Sequence, residues 1–402
     1  MVGVDLAKTK NKQKTKKWVL KRHAIVCNLL RPIFKLYFKL KYKLTVSNDE
    51  KKISSPALIM SNHSTTMDPF MLGCSFLRPI YYISSDDLFT IPVASRLIRW
   101  LVNPIPKSKS KSDFGTIRTT LKVLKEGGTV AIFPEGNRTL FGNNWGIDIS
   151  TAKFVKICKV PLVLYKINGG YGADPRWGNK IRKGEMTAGV VKVISEKEIE
   201  DLTPEQILSE IKSTLTTTDL YEGTKFKYRR RAEFLERALY YCENCGSFNS
   251  LETHKDRIYC KNCDFKAEYL EDLKLLPISG NLTAKDTAEY YTKQKEALRN
   301  IVKTNNDCVL FSDTNLKARL IQDKKRHKLG KVDTFGQANG VRVVFKREEK
   351  FYFFNNLYGA TILGKRKINF YLDGDKTLQI KGSKRFNAIK YLHLFELDGE
   401  NL

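Results

Sequence analysis

Acidic residues are nearly missing from the start of this chain: the first 46 positions hold one, Asp5, while Lys8 to Lys43 carries thirteen basic side chains. Long apolar runs are missing as well. No stretch approaches the roughly 18 to 20 uncharged apolar residues that a membrane-spanning helix needs, so any contact with a bilayer is expected at its surface. The Lys-rich start is not followed by an apolar core and a small-residue cleavage site, so no secretory signal peptide is expected. The eight cysteines then read as thiols of a reducing compartment rather than as a disulfide scaffold. Internal repeats are absent, and low complexity is confined to the N-terminal lysines.

What remains is enough to fold. A chain of 402 residues, 42% hydrophobic and 11% aromatic, can bury a core and predicts two or three domains. Its net charge of +28, from 71 Lys+Arg against 43 Asp+Glu, points to a polyanionic partner: nucleic acid, anionic lipid or a phosphorylated substrate.

Lys17 to Leu40 reads as an amphipathic helix with Trp18, Ile25, Leu29, Ile33, Leu36 and Leu40 on one stripe and Lys17, Lys21, Asn28, Lys35 and Lys39 on the other. Pro32 is expected to kink it. Such a helix suits the headgroup layer of an anionic membrane, although the stripe could equally pack on the domain behind it. From residue 53 strands and helices alternate, which predicts an α/β layer. Strands are expected at Ala57–Met60, Pro79–Ile83, Thr129–Phe133, Val160–Ile167 and Thr187–Ile194. A helix is expected at Phe114–Glu126, capped by Asp113 and stopped by Gly127-Gly128, and another opens at Thr203-Pro204-Glu205-Gln206. Lys225 to Tyr241 reads as a basic helical connector, the segment from Leu270 to about Arg326 as helical and charged, residues 341–372 as β-strands, and Arg385–Leu397 as a final helix.

Two polar loops stand at the ends of predicted buried strands. In Asn62-His63-Ser64-Thr65-Thr66-Met67-Asp68, the carboxylate can fold back onto one imidazole nitrogen and leave the other as a base. The spacing alone is common by chance, and a polar cap at a strand-to-helix turn would look the same. The second loop, Phe133-Pro134-Glu135-Gly136-Asn137-Arg138-Thr139, offers a guanidinium fork suited to phosphate, a tight turn at Gly136, and Glu135 to orient Arg138 or a substrate hydroxyl. Taken alone, Glu135 and Arg138 would be a surface ion pair. Clefts in open α/β sheets lie outside the carboxyl ends of strands, so the two loops could face one cleft.

These loops resemble the hallmarks of the glycerophospholipid acyltransferases, in particular the bacterial 1-acyl-sn-glycerol-3-phosphate acyltransferases. Asn62, His63 and Asp68 match Asn-His-x-x-x-x-Asp, and Phe133, Pro134, Glu135, Gly136 and Arg138 match Phe-Pro-Glu-Gly-Thr-Arg-Ser. The resemblance covers roughly residues 18–220. It departs at Asn137 and Thr139, at Thr65, at Tyr165 beside Val160-Pro161-Leu162-Val163-Leu164, and at Asn103-Pro104-Ile105-Pro106-Lys107, where Lys107 stands in the region that normally supplies an Arg. The resemblance implies a central mixed sheet flanked by helices. It also implies direct transfer from acyl-CoA or acyl-carrier protein to a lysophospholipid hydroxyl, with His63 as general base, Asp68 as its orienting partner, and Lys107 and Arg138 on the acceptor phosphate. The implied site is cytoplasmic, on the inner face of an anionic membrane.

Cys242-x2-Cys245 and Cys260-x2-Cys263, fourteen residues apart, fit a closed tetrahedral Zn2+ site of structural type; His254 within the spacer reads as a hairpin residue. The expected organisation is a basic amphipathic membrane-associating segment at 1–46, an acyltransferase domain at 47–222, a basic helical linker at 223–240, a zinc ribbon at 241–268 and an α+β C-terminal domain at 269–402. The tail's strands and final helix loosely resemble a pleckstrin-like module. Three rival readings stand beside this: a basic zinc-ribbon protein gripping nucleic acid through Lys225, Lys227, Arg229, Arg230 and Arg231, which leaves both polar loops unexplained; the same chemistry on another acceptor, such as glycerol 3-phosphate or a lysophospholipid with a larger headgroup; and a C-terminal regulatory or docking module that binds protein, lipid or nucleic acid.

Overall fold

A computed structural model describes residues 17–85, 92–107, 114–221, 223–304, 308–323 and 325–400. Asp113, and the lysines before Lys17, lie outside the described residues. The first layer is built from strands β1 (Leu44–Val46), β2 (Ala57–Ser61), β3 (Ile80–Ser85), β4 (Ile105–Lys107), β5 (Thr129–Ile132), β6 (Leu162–Asn168) and β7 (Met186–Ile194). They form one sheet in the order β1-β7-β6-β2-β5-β3-β4. Its pairs are parallel except β6 with β7, which makes the sheet mixed.

Strand β2 is buried along its whole length because both faces are covered, as its unbroken apolar run requires. Leu58 and Met60 face α4 (Phe114–Lys125), α5 (Ile149–Cys158) and α8 (Pro204–Leu215), packing with Val123, Val155 and Ile211. Ala57 and Ile59 face the other way, towards Phe38 and Tyr42 of α1 (Lys21–Tyr42) and Met71 of α2 (Asp68–Gly73). Helix α3 (Pro92–Leu101) and the short α6 (Gly170–Ala173) and α7 (Glu196–Asp201) complete this part. Helix α8 starts on the reciprocal Thr203–Gln206 capping box with Pro204 in its first turn, the arrangement its sequence specifies. Helix α1 runs unbroken through Pro32. Its stripe Ile25, Leu29, Ile33, Leu36 and Leu40 is exposed, while Phe38 and Tyr42 on the other side pack on the sheet.

Residues 223–240 correct the expectation of a helical linker: their one helical turn is a 3-10 turn at Leu235–Arg237. Tertiary bonds win over helix propensity here. The backbone of Lys227 pairs with Lys183, the Phe226 amide donates to the Glu271 carbonyl at 2.7 Å and that of Ala232 to Lys255 at 2.9 Å, and Phe234 takes φ +75°, which no α-helix accommodates. The ribbon follows as a four-stranded sheet of β8 (Leu251–His254), β9 (Arg257–Cys260), β10 (Lys266–Tyr269) and β11 (Leu275–Ser279).

Among the described residues after Leu270, only α9 (Thr287–Thr304) realises the helical expectation for the segment that runs to about Arg326. Phe311 to Gln337 is instead the long antiparallel pair β12 (Phe311–Gln322) and β13 (Lys325–Gln337), where charged side chains face solvent and Leu316, Ala318 and Val332 face inward. With β14 (Gly340–Val344), β15 (Glu349–Phe353), β16 (Gly359–Ile362), β17 (Lys367–Leu372) and β18 (Lys376–Lys381) they form an antiparallel sheet ordered β15-β14-β13-β12-β18-β17-β16. Helix α10 (Ile389–Glu400) packs on it, starting four residues later than expected because the Asn387 side chain accepts from the Lys390 amide at 3.2 Å.

Candidate functional site

Strands β2 and β5 are parallel neighbours, with Met60 opposite Ile132. Their loops therefore leave the same edge side by side, which sets His63 and Glu135 three residues beyond paired positions. Asn62 fixes the first loop by mimicking a strand: its side chain donates to the Ile167 carbonyl and accepts from the Ile167 amide, both at 2.8 Å. The chain then turns into α2, whose first residue, Asp68, points back. Asp68 Oδ2 lies 2.8 Å from His63 Nδ1 and accepts from the amides of Ser64 and Thr65 at 2.7 and 2.9 Å. Its Oδ1 accepts from the Thr65 hydroxyl at 2.6 Å. A fully buried carboxylate surrounded by donors is an acceptor, so Nδ1 carries the proton and Nε2 is the basic nitrogen. The imidazole stacks on Phe133 with centroids 4.4 Å apart, and its side chain remains 20% exposed, so a substrate can reach it.

Glu135 ties the loops together rather than facing Arg138. One oxygen accepts from the His63 amide at 3.0 Å and from Asn144 Nδ2 at 2.8 Å, and the other from the Trp145 amide at 3.1 Å. Gly136 turns at φ +65°, where a side chain would be strained, and the Thr139 amide donates to the His63 carbonyl at 2.9 Å. Burial, outweighing those hydrogen bonds, pushes the Glu135 carboxyl from 4.5 up to about 7. Between these values the folded chain holds a proton that the unfolded chain has released. This group's contribution to stability therefore falls as pH rises from about 4.5 to about 7 and is level above that, by up to about 1.4 kcal/mol per pH unit. Denaturant unfolding of the wild type and Glu135→Gln across this range should show their stability difference shifting in that sense; a difference that stays flat counts against the assignment.

The Arg138 carbonyl accepts from Trp145 Nε1 at 2.8 Å and Arg176 Nη1 at 3.1 Å, which holds the backbone in place. Among the described residues no hydrogen bond reaches its guanidinium, which burial pushes below its ordinary value against the opposing charges of Asp174 and Asp68. A half-buried cation within the field of the His63 partner is placed to take an anion. Lys107 lies further along the same sheet. It ends β4, two strands from β5 in the sheet order, roughly 10 Å across at the usual strand spacing. Asn144, Trp145, Asp174 and Arg176 were not identified by sequence reasoning, since they lie in aperiodic loops; the Asn/Gly/Trp cluster at 142–146 marks a loop but not its partners.

The four cysteines converge, with all four Sγ atoms within 4.8 Å of one another. The Cys242–Cys263 and Cys245–Cys260 pairs are each 3.8 Å apart. A tetrahedron with metal–sulfur bonds of about 2.3 Å has edges of about 3.8 Å, so the cluster could hold one metal ion.

The acyltransferase family profile matches residues 43–163. The chain is 26% identical over 180 residues to the chloroplast 1-acyl-sn-glycerol-3-phosphate acyltransferase of Arabidopsis thaliana, covering 43% of this chain and 48% of that protein. It is 27% identical over 155 residues to the 1-acyl-sn-glycerol-3-phosphate acyltransferase of Bacillus subtilis, covering 38% and 74%, and 29% identical over 118 residues to that of Borreliella burgdorferi, covering 28% and 47%. The chain thus spans about half the length of the chloroplast and Borreliella relatives. The crystal structure of the 1-acyl-sn-glycerophosphate acyltransferase PlsC from Thermotoga maritima aligns with 48% of this chain and 78% of its own at 19% identity and a TM-score of 0.41. Residues 43–163 of the chain are thus similar to the acyltransferase family, and the relatives matched here are 1-acyl-sn-glycerol-3-phosphate acyltransferases.

Proposed function

We propose that this protein transfers a fatty-acyl group from an acyl thioester, on CoA or acyl-carrier protein, to the free hydroxyl of 1-acyl-sn-glycerol-3-phosphate, giving phosphatidic acid. The observation that carries this reading is the Asp68-bound His63 at the edge of the parallel strands, beside a loop that presents Arg138. His63 Nε2 takes the hydroxyl proton as the acceptor oxygen bonds to the thioester carbonyl carbon. The tetrahedral intermediate then breaks its C–S bond, and the departing sulfur takes the proton from the imidazolium. Asp68 keeps the ring in the required tautomer and stabilises its charged form. Neither Ser64 nor Cys74 is needed as a nucleophile. Arg138 holds the acceptor phosphate.

Helix α1 supports a membrane-surface site. No described helix is long and apolar enough to cross a membrane, yet five aliphatic side chains of α1 are exposed in a row beside basic ones, the pattern of an interfacial helix on anionic lipid. The four-cysteine cluster fits structural Zn2+, because four sulfurs close the tetrahedron. The reading is tested with full-length protein on vesicles of zwitterionic lipid with and without anionic lipid. Sedimentation with the anionic vesicles and transfer of labelled acyl groups to embedded lysophosphatidic acid are expected. Absence of transfer from either donor class overturns the enzymatic reading, and equal partition to both vesicle types overturns the anionic-surface one.

A further inference from the structure

The C-terminal sheet reaches into the acyltransferase site. Arg176, 2% exposed, is the connector: Nη1 donates to Asn137 Oδ1 at 2.8 Å and to the Arg138 carbonyl at 3.1 Å, while Nε donates to the Gly364 carbonyl at 2.9 Å and Nη2 to that of Ile362 at 2.7 Å. One guanidinium thus spans from the Arg138 backbone to the tip of the β16–β17 hairpin. The next residue at that tip is Lys365, whose ammonium donates to the Gly178 carbonyl and has two further N–H bonds to give.

The charges around Arg138 explain what a second cation would do there. Asp68 and Asp174 both act on Arg138. Two carboxylates beside one guanidinium weaken its pull on an incoming phosphate. Lys365 acts on the same Asp174 and itself feels the charge of Arg138, so the tail adds a cation to the surroundings of Arg138 and Asp174. The β4 region offers Lys107 rather than an Arg, two strands from β5, whose following loop carries Arg138.

We propose that Lys365, contributed by the C-terminal domain, is the second anchor of the acceptor phosphate, so that Arg138 and Lys365 grip a phosphomonoester together and the acceptor site is composite. The identity of the acceptor rests on the function proposed above; the geometry asks for a phosphomonoester. A phosphodiester headgroup, bulkier and carrying less charge, would fit such a two-cation grip less well, so Lys365 also selects against larger lysophospholipids.

The test separates binding from turnover. Glycerol 3-phosphate is titrated calorimetrically into the full chain, and acceptor and donor kinetics are measured with lysophosphatidic acid. Lys365→Gln should weaken glycerol 3-phosphate binding and raise the acceptor KM roughly ten- to a hundredfold, as loss of a charged hydrogen bond does, with kcat and donor KM within about twofold. Lys365→Arg should restore most of both. An unchanged binding constant in a folded Lys365→Gln protein overturns the proposal. So does a parallel loss of kcat, donor KM and thermal stability, which would mark Lys365 as a docking residue only, and so does a loss found in Lys107→Gln alone. Failure of the wild type to bind glycerol 3-phosphate overturns it as well. Binding that depends on Lys365 without any transfer would instead retain the phosphate site and remove the lysophosphatidate reading.

Discussion

His63→Ala is expected to abolish acyl transfer to lysophosphatidic acid, with kcat down by at least the 10²- to 10⁴-fold that a positioned general base supplies, while the melting temperature stays close to that of the wild type. The two halves of this expectation have separate structural causes. The imidazole is partly exposed and contributes one side-chain hydrogen bond, to Asp68, whereas the loop is held by backbone groups that alanine retains: the residue-63 amide on Glu135 and its carbonyl on the Thr139 amide. Asp68 keeps the amides of Ser64 and Thr65 as partners. Asp68→Ala should therefore look different, losing activity and stability together, because it leaves those two amides unpaired in the interior. Kinetics with both donor classes and a thermal melt decide the matter, and a fully active His63→Ala protein would end the proposed mechanism.

Removing the metal should have the second large effect, on stability. Metal analysis of protein purified without chelator is expected to return one zinc per chain. Structural zinc in small peptides contributes an apparent 10–16 kcal/mol near neutral pH, more than four short strands could replace. Chelation, or Cys242→Ser with Cys260→Ser, should release the ion and lower the melting temperature by about 10 °C or more. The loss should not stop at the ribbon. Asn249 accepts from the buried Lys390 of α10 at 2.9 Å, and Tyr240, just before Cys242, hydrogen-bonds His393 at 2.8 Å, so the tail should loosen with it. A metal-free chain that keeps its near-ultraviolet spectrum and melting temperature would contradict the assignment.

The parts of the fold legible in the sequence are those where one local rule decides. Ala57–Met60 is a continuous apolar run and becomes a strand buried on both faces. Thr203 to Gln206 spells a capping box and forms one. The Cys-x2-Cys pairs carry their own geometry. Local rules fail where partners distant in the chain decide. Residues 223–240 are basic enough for a helix, yet their amides find carbonyls at Lys183, Lys255 and Glu271. The β12–β13 pair hides its alternation under a high density of lysine and arginine, which face water and tell nothing of the period beneath. In the site, the motifs mark His63 and Asp68 in one loop and Arg138 in the other because each motif's spacing lies within a single loop. The lock of Glu135 onto the His63 amide, and the reach of Arg176 from the Arg138 loop to Gly364, join segments 72 and 188 residues apart, and no spacing rule spans such distances.

The interior of this molecule does not stop where the family match stops. Tyr171, Trp177, Leu220 and Phe226 share one apolar cluster with Tyr269 of the ribbon and with Leu298 and Leu394 of the tail, and the Tyr171 hydroxyl hydrogen-bonds Thr287 at 2.8 Å. A protein shortened after residue 222 would present that aromatic surface to water and should be sticky and poorly soluble. The smallest piece able to stand alone is therefore far larger than the catalytic motifs suggest, and heat or denaturant should melt catalysis, ribbon and tail in a single concerted step.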